Sequence, residues 1–205
     1  MHPPIGQRII VIGSSNAGKT TLATRLSEQL SAPLIELDAL HWEPGWVEAD
    51  DDVFRERIRQ AIAAGSWVMA GNYIAEQQHV SWPVADTVIW LDLSLSTILR
   101  RCIRRTWRRW RTAELLYGDN REIVWEHLMV WDSNKSLVGH IVKTHRSRRR
   151  TNAAFMRDPR WSHISFIRLR SVDEVAEWLG RVAEHTPIQG VTNEPVSASR
   201  DVSRA

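Results

Sequence analysis

Residues 8 to 21 read Arg8-Ile9-Ile10-Val11-Ile12-Gly13-Ser14-Ser15-Asn16-Ala17-Gly18-Lys19-Thr20-Thr21. The aliphatic run predicts a strand over 8–12, of the kind a parallel sheet buries on both faces. It leads into the pattern G-x-x-x-x-G-K-T. Beyond that pattern Leu22, Leu26 and Leu30 recur every four residues, the buried stripe of a helix. Gly13 and Gly18 allow backbone angles and close approaches that a Cβ would block. The N–H groups of residues 14–20 can then turn inward around an anion. The helix that follows presents its own N-terminal N–H groups and partial positive charge to the same anion. The nine residues from Gly13 to Thr21 therefore form a candidate phosphate cradle.

Within that cradle Lys19 can reach the β- and γ-phosphates of a nucleotide such as ATP, and the Thr20 hydroxyl can ligate Mg²⁺. The rest of the chain is read outward from this point. At 205 residues the chain is long enough for one sizeable domain, expected over 1–185, with 186–205 as a disordered tail rich in Thr, Ser and Pro. The single cysteine, Cys102, excludes an intrachain disulfide framework and a Cys-based zinc site. No apolar run approaches the roughly 18 residues a membrane span needs, and nothing resembles a secretory signal, so a soluble cytoplasmic protein is the expectation. Eleven tryptophans are many, and they are expected in the core or in pocket walls.

The net charge of +3 hides an asymmetry. Residues 1–95 hold 6 Lys/Arg against 12 Asp/Glu, whereas residues 96–205 hold 21 against 12. A basic half of this kind suits nucleic acid or a phosphate-rich small ligand.

Five strands are expected: 8–12, 33–38, 67–71, 87–92 and 164–169. Helices are expected after the cradle, over about 50–64, over about 96–111 and after the capping box Ser171-Val172-Asp173-Glu174. Residues 39–49 read as a loop around Pro44-Gly45, and 74–86 carry little pattern. The helix over 96–111 is strongly basic, with an inner stripe of Leu99, Cys102, Ile103, Thr106 and Trp110. Residues 112–150 look helical in pieces. Strand alternating with helix implies a three-layer α/β/α sandwich with a five-stranded parallel sheet and an α-helical lid inserted at about 104–150.

The cradle at 13–20, Leu37-Asp38-Ala39-Leu40-His41-Trp42 with the Pro44-Gly45-Trp46 that follows, Ala70-Gly71-Asn72-Tyr73, and Leu91-Asp92 before an arginine-rich helix carry a resemblance. The chain resembles the nucleoside- and shikimate-kinase-like P-loop NTPases, and more closely the adenylate-kinase-related group called DNA topology modulation proteins. The resemblance covers about residues 8–184. It implies ATP with Mg²⁺, an acceptor region after the second strand, lid arginines that close over the phosphates, and adenine packing near Arg170-Ser171-Val172. One departure is plain. Adenylate kinases carry D-G-F/Y-P-R after the third strand, where this chain has Ala70-Gly71-Asn72-Tyr73, which argues against AMP as the acceptor.

The candidate catalytic residues are Lys19, Asp38, Arg104 and Arg105. Asp38, at the ligand edge of the second strand, would hold Mg²⁺ through water or take the acceptor's proton. His41, Trp42, Asn72 and Tyr73 would bind the acceptor. Asp92 reads as structural, and Arg146–Arg150 as a second basic group on a solvated face or helix end, with a second lid contact or a nucleic-acid patch as the alternatives. The function expected is a Mg-dependent small-molecule kinase that uses ATP. The alternative is a nucleic-acid-associated P-loop ATPase or regulator using the arginine helix, possible in partner terms but not favoured, because no helix-turn-helix or base-stacking surface is visible.

Overall fold

A computed structural model describes residues 5–112, 115–116, 120–121 and 137–185. Five strands form one parallel sheet: β1 (Arg8–Gly13), β2 (Leu34–Glu36), β3 (Trp67–Ala70), β4 (Thr87–Leu91) and β5 (Ser165–Leu169), in the order β2-β3-β1-β4-β5. The register is fixed by Ile10 opposite both Met69 and Val88, and by Ile89 opposite Ile167. β1 lies at the centre, and Ile9, Ile10, Val11 and Ile12 are buried to within 1%. Their alternation divides the core between the two faces. Ile9 and Val11 pack with α1 (Lys19–Leu30), α5 (Leu95–Thr112), α6 (Leu137–Phe155) and α7 (Val172–His185). Ile10 and Ile12 pack with α3 (Asp51–Ala61), α4 (Ile74–Val80) and the tryptophans Trp67, Trp82, Trp90 and Trp161. With the glycine loop between β1 and α1, this is the P-loop NTPase α/β/α fold, and α5 and α6 lie between β4 and β5 in the chain.

Several expectations need correction. The second strand stops at Glu36, and a short helix α2 (Leu37–His41) follows, so Asp38 stands in the first turn of a helix and not at a strand end. Residues 42–48, expected as loop, form a small antiparallel hairpin in which Trp42 pairs with Glu48 and Glu43 with Val47. Two-residue strands carry too little periodicity to be read from sequence. Residues 74–86 hold α4 and a 3₁₀ turn at Trp82–Val84. In α5 the buried stripe is Ile98, Cys102 and Thr106, whereas Ile103 is 57% exposed, because it lies about 100° around the helix from Cys102. The side chain of Trp110 lies outside the described residues.

The second basic group sits in the middle of a continuous helix, α6, which runs past Arg150 to Phe155. The proposed lid at 104–150 includes the end of α5 and most of α6, together with residues 113–114, 117–119 and 122–136, which lie outside the described residues. The expected tail at 186–205 lies outside them as well. Among the described residues no helix is long and apolar enough to cross a membrane.

Candidate active site

The cradle begins where β1 ends. Gly13 has φ +151°, and a Cβ there would stand 2.8 Å from the Leu91 carbonyl oxygen of the neighbouring strand. Asn16 takes φ +61° and Gly18 φ +98°, both left-handed. Gly18 caps α1 with no side-chain hydrogen bond, and no acidic residue stands in the first turn. The helix N-terminus therefore opens onto the loop without an internal anion. These observations fit a bound phosphate chain: a loop kept free of Cβ atoms at its two glycines, an uncapped helix start, and a lysine immediately after it.

Lys19 Nζ donates to the carbonyl oxygens of Gly13 (3.1 Å) and Ser14 (3.2 Å). Burial lowers its pKa to about 8. The carboxylate of Asp38 pulls the other way, and the guanidinium groups of Arg148 and Arg105 add to the lowering. Three arginines thus approach the loop from the helices between β4 and β5. Arg101 Nη1 donates to the Ala17 carbonyl at 2.7 Å, Arg105 Nη1 to Asn16 Oδ1 at 3.4 Å, and Arg148 lies within electrostatic reach of Lys19. Arg148 also contacts His140 Nε2 at 3.1 Å, and burial lowers its own pKa.

Arg104 is exposed, one residue and about 100° of helix away from Arg105. It makes no contact with the loop of the kind that Arg101 and Arg105 make. Arg101 is not singled out from sequence, and Arg148 enters there only as part of the Arg146–Arg150 group, whose alternatives include a second lid contact. The available signal for Arg101 was its place one turn before Arg105 on the same helix face.

Asp38 is half-buried and accepts a hydrogen bond from Tyr73 OH at 2.9 Å. It therefore stands between the phosphate end, where its charge acts on Lys19, and an aromatic wall. That wall runs from Tyr73 to His41 (ring centroids 4.5 Å apart), from His41 to Trp42 (5.0 Å) and from Trp42 to Trp46 (5.4 Å). Phe54 backs it, 4.9 Å from His41 and 5.0 Å from Tyr73. The Nδ1 atom of His41 is buried and has no hydrogen-bond partner among the described residues.

Asn72, expected to touch the acceptor, is engaged with the loop. Its Oδ1 accepts from the Gly13 N–H at 3.2 Å, and its Nδ2 donates to the Gly13 carbonyl. This side-chain amide fixes the first glycine of the cradle from the end of β3. The glycine before it is a packing requirement: a Cβ on Gly71 would stand 2.7 Å from Leu37 Cβ, at the start of α2. Thr20 and Thr21 are exposed at the start of α1. Among the described residues no cluster of three or more His, Cys, Asp or Glu could hold a metal by itself, so Mg²⁺ would depend on the nucleotide's oxygens as well as Thr20 and Asp38.

Asp92 has a different task. Its carboxylate is 1% exposed and is gripped from two sides, by Arg149 (2.7 Å and 2.9 Å) and by Arg168 (2.6 Å and 3.0 Å). Arg168 also lies over the Trp90 ring at 4.4 Å. The pair ties α6, and with it Arg148, to the ends of β4 and β5. At Ser171–Glu174 the Ser171 half of the capping box is present, with Ser171 Oγ accepting from the Glu174 N–H at 3.0 Å, whereas the Glu174 carboxylate accepts from the Arg170 N–H, one residue before the cap, at 2.6 Å.

The depressed pKa of Lys19 has a measurable consequence. Phosphate oxygens favour the ammonium form, so binding ATP takes up a proton wherever the free lysine is neutral. Affinity should hold steady below pH 8 and fall by up to about tenfold per pH unit above it. Calorimetric titration with MgATP from pH 7 to 9.5 checks this. A flat profile in that window would show that Lys19 stays charged throughout it.

No protein-family model matches this chain, and no curated protein does. Solved structures with a similar chain path include three kinases. One is a gluconokinase from Sinorhizobium meliloti 1021 (19% identity, covering 89% of this chain and 96% of that one, TM-score 0.44). Another is a shikimate kinase from Bacteroides thetaiotaomicron (13%, 87% and 97%, TM-score 0.45). A third is a sugar kinase from Janibacter sp. HTCC2649 (18%, 88% and 91%, TM-score 0.48). Identities and TM-scores this low assign no activity to this chain.

Proposed function

We propose that the protein is an ATP- and Mg²⁺-dependent phosphotransferase that phosphorylates a hydroxyl group of a small acceptor. The observation that carries this reading is the position of Asp38, acting on Lys19 on one side and bonded to Tyr73 of the aromatic wall on the other. ATP's triphosphate lies along residues 13–20, and the acceptor lies against His41, Trp42 and Tyr73. Mg²⁺ would be held by Thr20 and, through water, by Asp38, and would neutralise phosphate charge when bound.

In the reaction the acceptor oxygen bonds to the γ-phosphorus as the bond to the β-bridging oxygen breaks. The products are a phosphate ester and ADP. Asp38 takes the hydroxyl proton, while Lys19, Arg101, Arg105 and Arg148 offset the negative charge around the transferring group. Enclosure by the arginine helices would keep out water, which competes as a nucleophile.

The test is ADP formation across nucleoside monophosphates, nucleosides and small hydroxylated metabolites. Asp38→Ala should lower kcat by about 10²- to 10⁴-fold while leaving the KM for ATP within about threefold. If Asp38→Ala turns over at the normal rate, the proton acceptor lies elsewhere. If no acceptor raises ADP release above the background with water, the kinase reading fails.

A nucleic-acid reading has one observation in its favour: α5 exposes Arg100, Arg104 and Arg108 together with Trp107, which is 60% exposed. It predicts DNA binding whose log–log salt slope steepens by about 0.9 for each phosphate neutralised. Absence of any salt-dependent DNA binding removes it.

A further inference from the structure

The wall on the acceptor side differs in charge from the phosphate side. Residues 31–81 contain nine carboxylates and three arginines. All three arginines are engaged: Arg55 with Asp51 and Asp52, Arg57 with Glu43 (2.7 Å) and the Leu40 carbonyl (2.9 Å), and Arg59 with Glu56 (3.0 Å). The arginines that reach the cradle, 101, 105 and 148, gather around Lys19 and Ala17 at the phosphate end. An acceptor with a carboxylate or phosphate of its own would therefore face an acidic segment with no uncommitted arginine among these residues. Like charges brought together out of water repel strongly.

For a cation the same surface is attractive. Trp42 and Glu48 are cross-strand partners in the hairpin at 42–48, so their side chains project from the same face of it. Glu48 is exposed and has no basic partner among the described residues. Trp46 closes the turn with φ +59°, next to Gly45 at φ +80°. A bulky side chain rarely takes that left-handed backbone, and strain of this kind persists where the surroundings hold it. Its ring is 38% exposed and lies edge-on to Trp42. An indole ring and a carboxylate on the same face of a hairpin make a surface that suits an ammonium group, drawn to the π face and to the charge together.

We infer that the acceptor is an amino alcohol, whose hydroxyl is offered to Asp38 and whose ammonium rests against Trp42 and Glu48. The inference rests on the phosphotransferase reading for the hydroxyl, and on the hairpin alone for the amine.

The experiment is calorimetry on the full chain saturated with the magnesium salt of a non-hydrolysable ATP analogue. Two matched series are titrated: glucosamine, glucose and gluconate; and ethanolamine, ethylene glycol and glycolate. ADP formation is measured in parallel with ATP. In at least one series the amine should bind about tenfold more tightly than the neutral compound, with the acid weakest. Glu48→Gln should reduce that amine-to-neutral ratio about fivefold, a change that a merely structural role for Glu48 would not produce.

Equal binding within both series, tighter binding of the acids, or no binding of any compound overturns the inference. The two readings fail separately. Amine preference without ADP release would remove the kinase and keep the amine site. ADP release strongest on the acids would keep the kinase and remove the amine site.

Discussion

Lys19→Ala should lower kcat/KM for ATP-dependent phosphoryl transfer by about 10³-fold, with the thermal midpoint unchanged or slightly raised. The two halves of this expectation have one cause. Lys19 is a charge held partly out of water over backbone carbonyls, and its pKa of about 8 shows that the fold disfavours the ammonium form. Between pH 8 and 10.5 the unfolded chain binds the proton more readily than the folded one. Stability from this group therefore rises with pH across that window, and losing the charge costs the fold nothing. Under the proposed phosphotransfer, what is lost is the cation that would meet negative charge spreading over the transferring phosphoryl group. Removing one such preorganised donor commonly costs about 10²- to 10³-fold, and a full charge belongs at the upper end. Steady-state kinetics and a melting curve on the same preparation check both halves. A variant that melts well below the parent would mean that Lys19 is structural, and the catalytic reading would lose its first residue.

Asp92→Ala should act in the opposite sense, with a large loss of stability and no contact with the reacting groups. The buried carboxylate holds two guanidinium groups that come from α6 and β5. Removing one partner of a buried ion pair costs about 3–5 kcal/mol, because the remaining charge is left without compensation. Arg149 is 46% exposed and can turn to water, which places the cost near the lower end. For a chain of this length about 3 kcal/mol corresponds to a drop of roughly 6–12 °C in Tm. Arg149→Ala should cost less than Asp92→Ala, since Arg168 keeps its carboxylate and its place over Trp90. Differential scanning calorimetry of the two variants checks the order. An Asp92→Ala protein with an unchanged Tm would show that the ion pair contributes nothing net to stability. Because Arg148 sits beside Arg149 on α6, the same variant should also weaken nucleotide binding, through the position of the helix.

The cradle was legible because its chemistry is contiguous. An aliphatic strand, two glycines at a set spacing, a lysine and a leucine stripe report on one another within 23 residues, and β1 and α1 formed where that stretch predicts them. The other four strands were legible for a related reason. A strand buried on both faces is an apolar run whatever its neighbours are, and Trp67–Ala70 and Thr87–Leu91 fall on such runs, whereas Ser165–Leu169, at the sheet edge, is buried only at Ile167 and Leu169 and reads as an alternation. Asp38, His41, Trp42 and Tyr73 were recognisable as a group only through the resemblance that joined their two segments.

Which arginines face the loop could be decided only by tertiary structure. α5 holds arginine at seven positions, and adjacent ones differ by about 100° of helix rotation and by nothing else. The phase of α5 is set by Ile98, Cys102 and Thr106 against the sheet, and that phase turns Arg101 and Arg105 toward the cradle and Arg104 away. Arg148 and Arg149 are sorted in the same way on α6, one to Lys19 and one to Asp92. Asn72 meets Gly13 across 59 residues because β3 lies beside β1 in the sheet, an order that no local pattern encodes. Local chemistry is written along the chain. The partners of a charged or amide side chain depend on helix phase and strand order, which exist only once the core has packed.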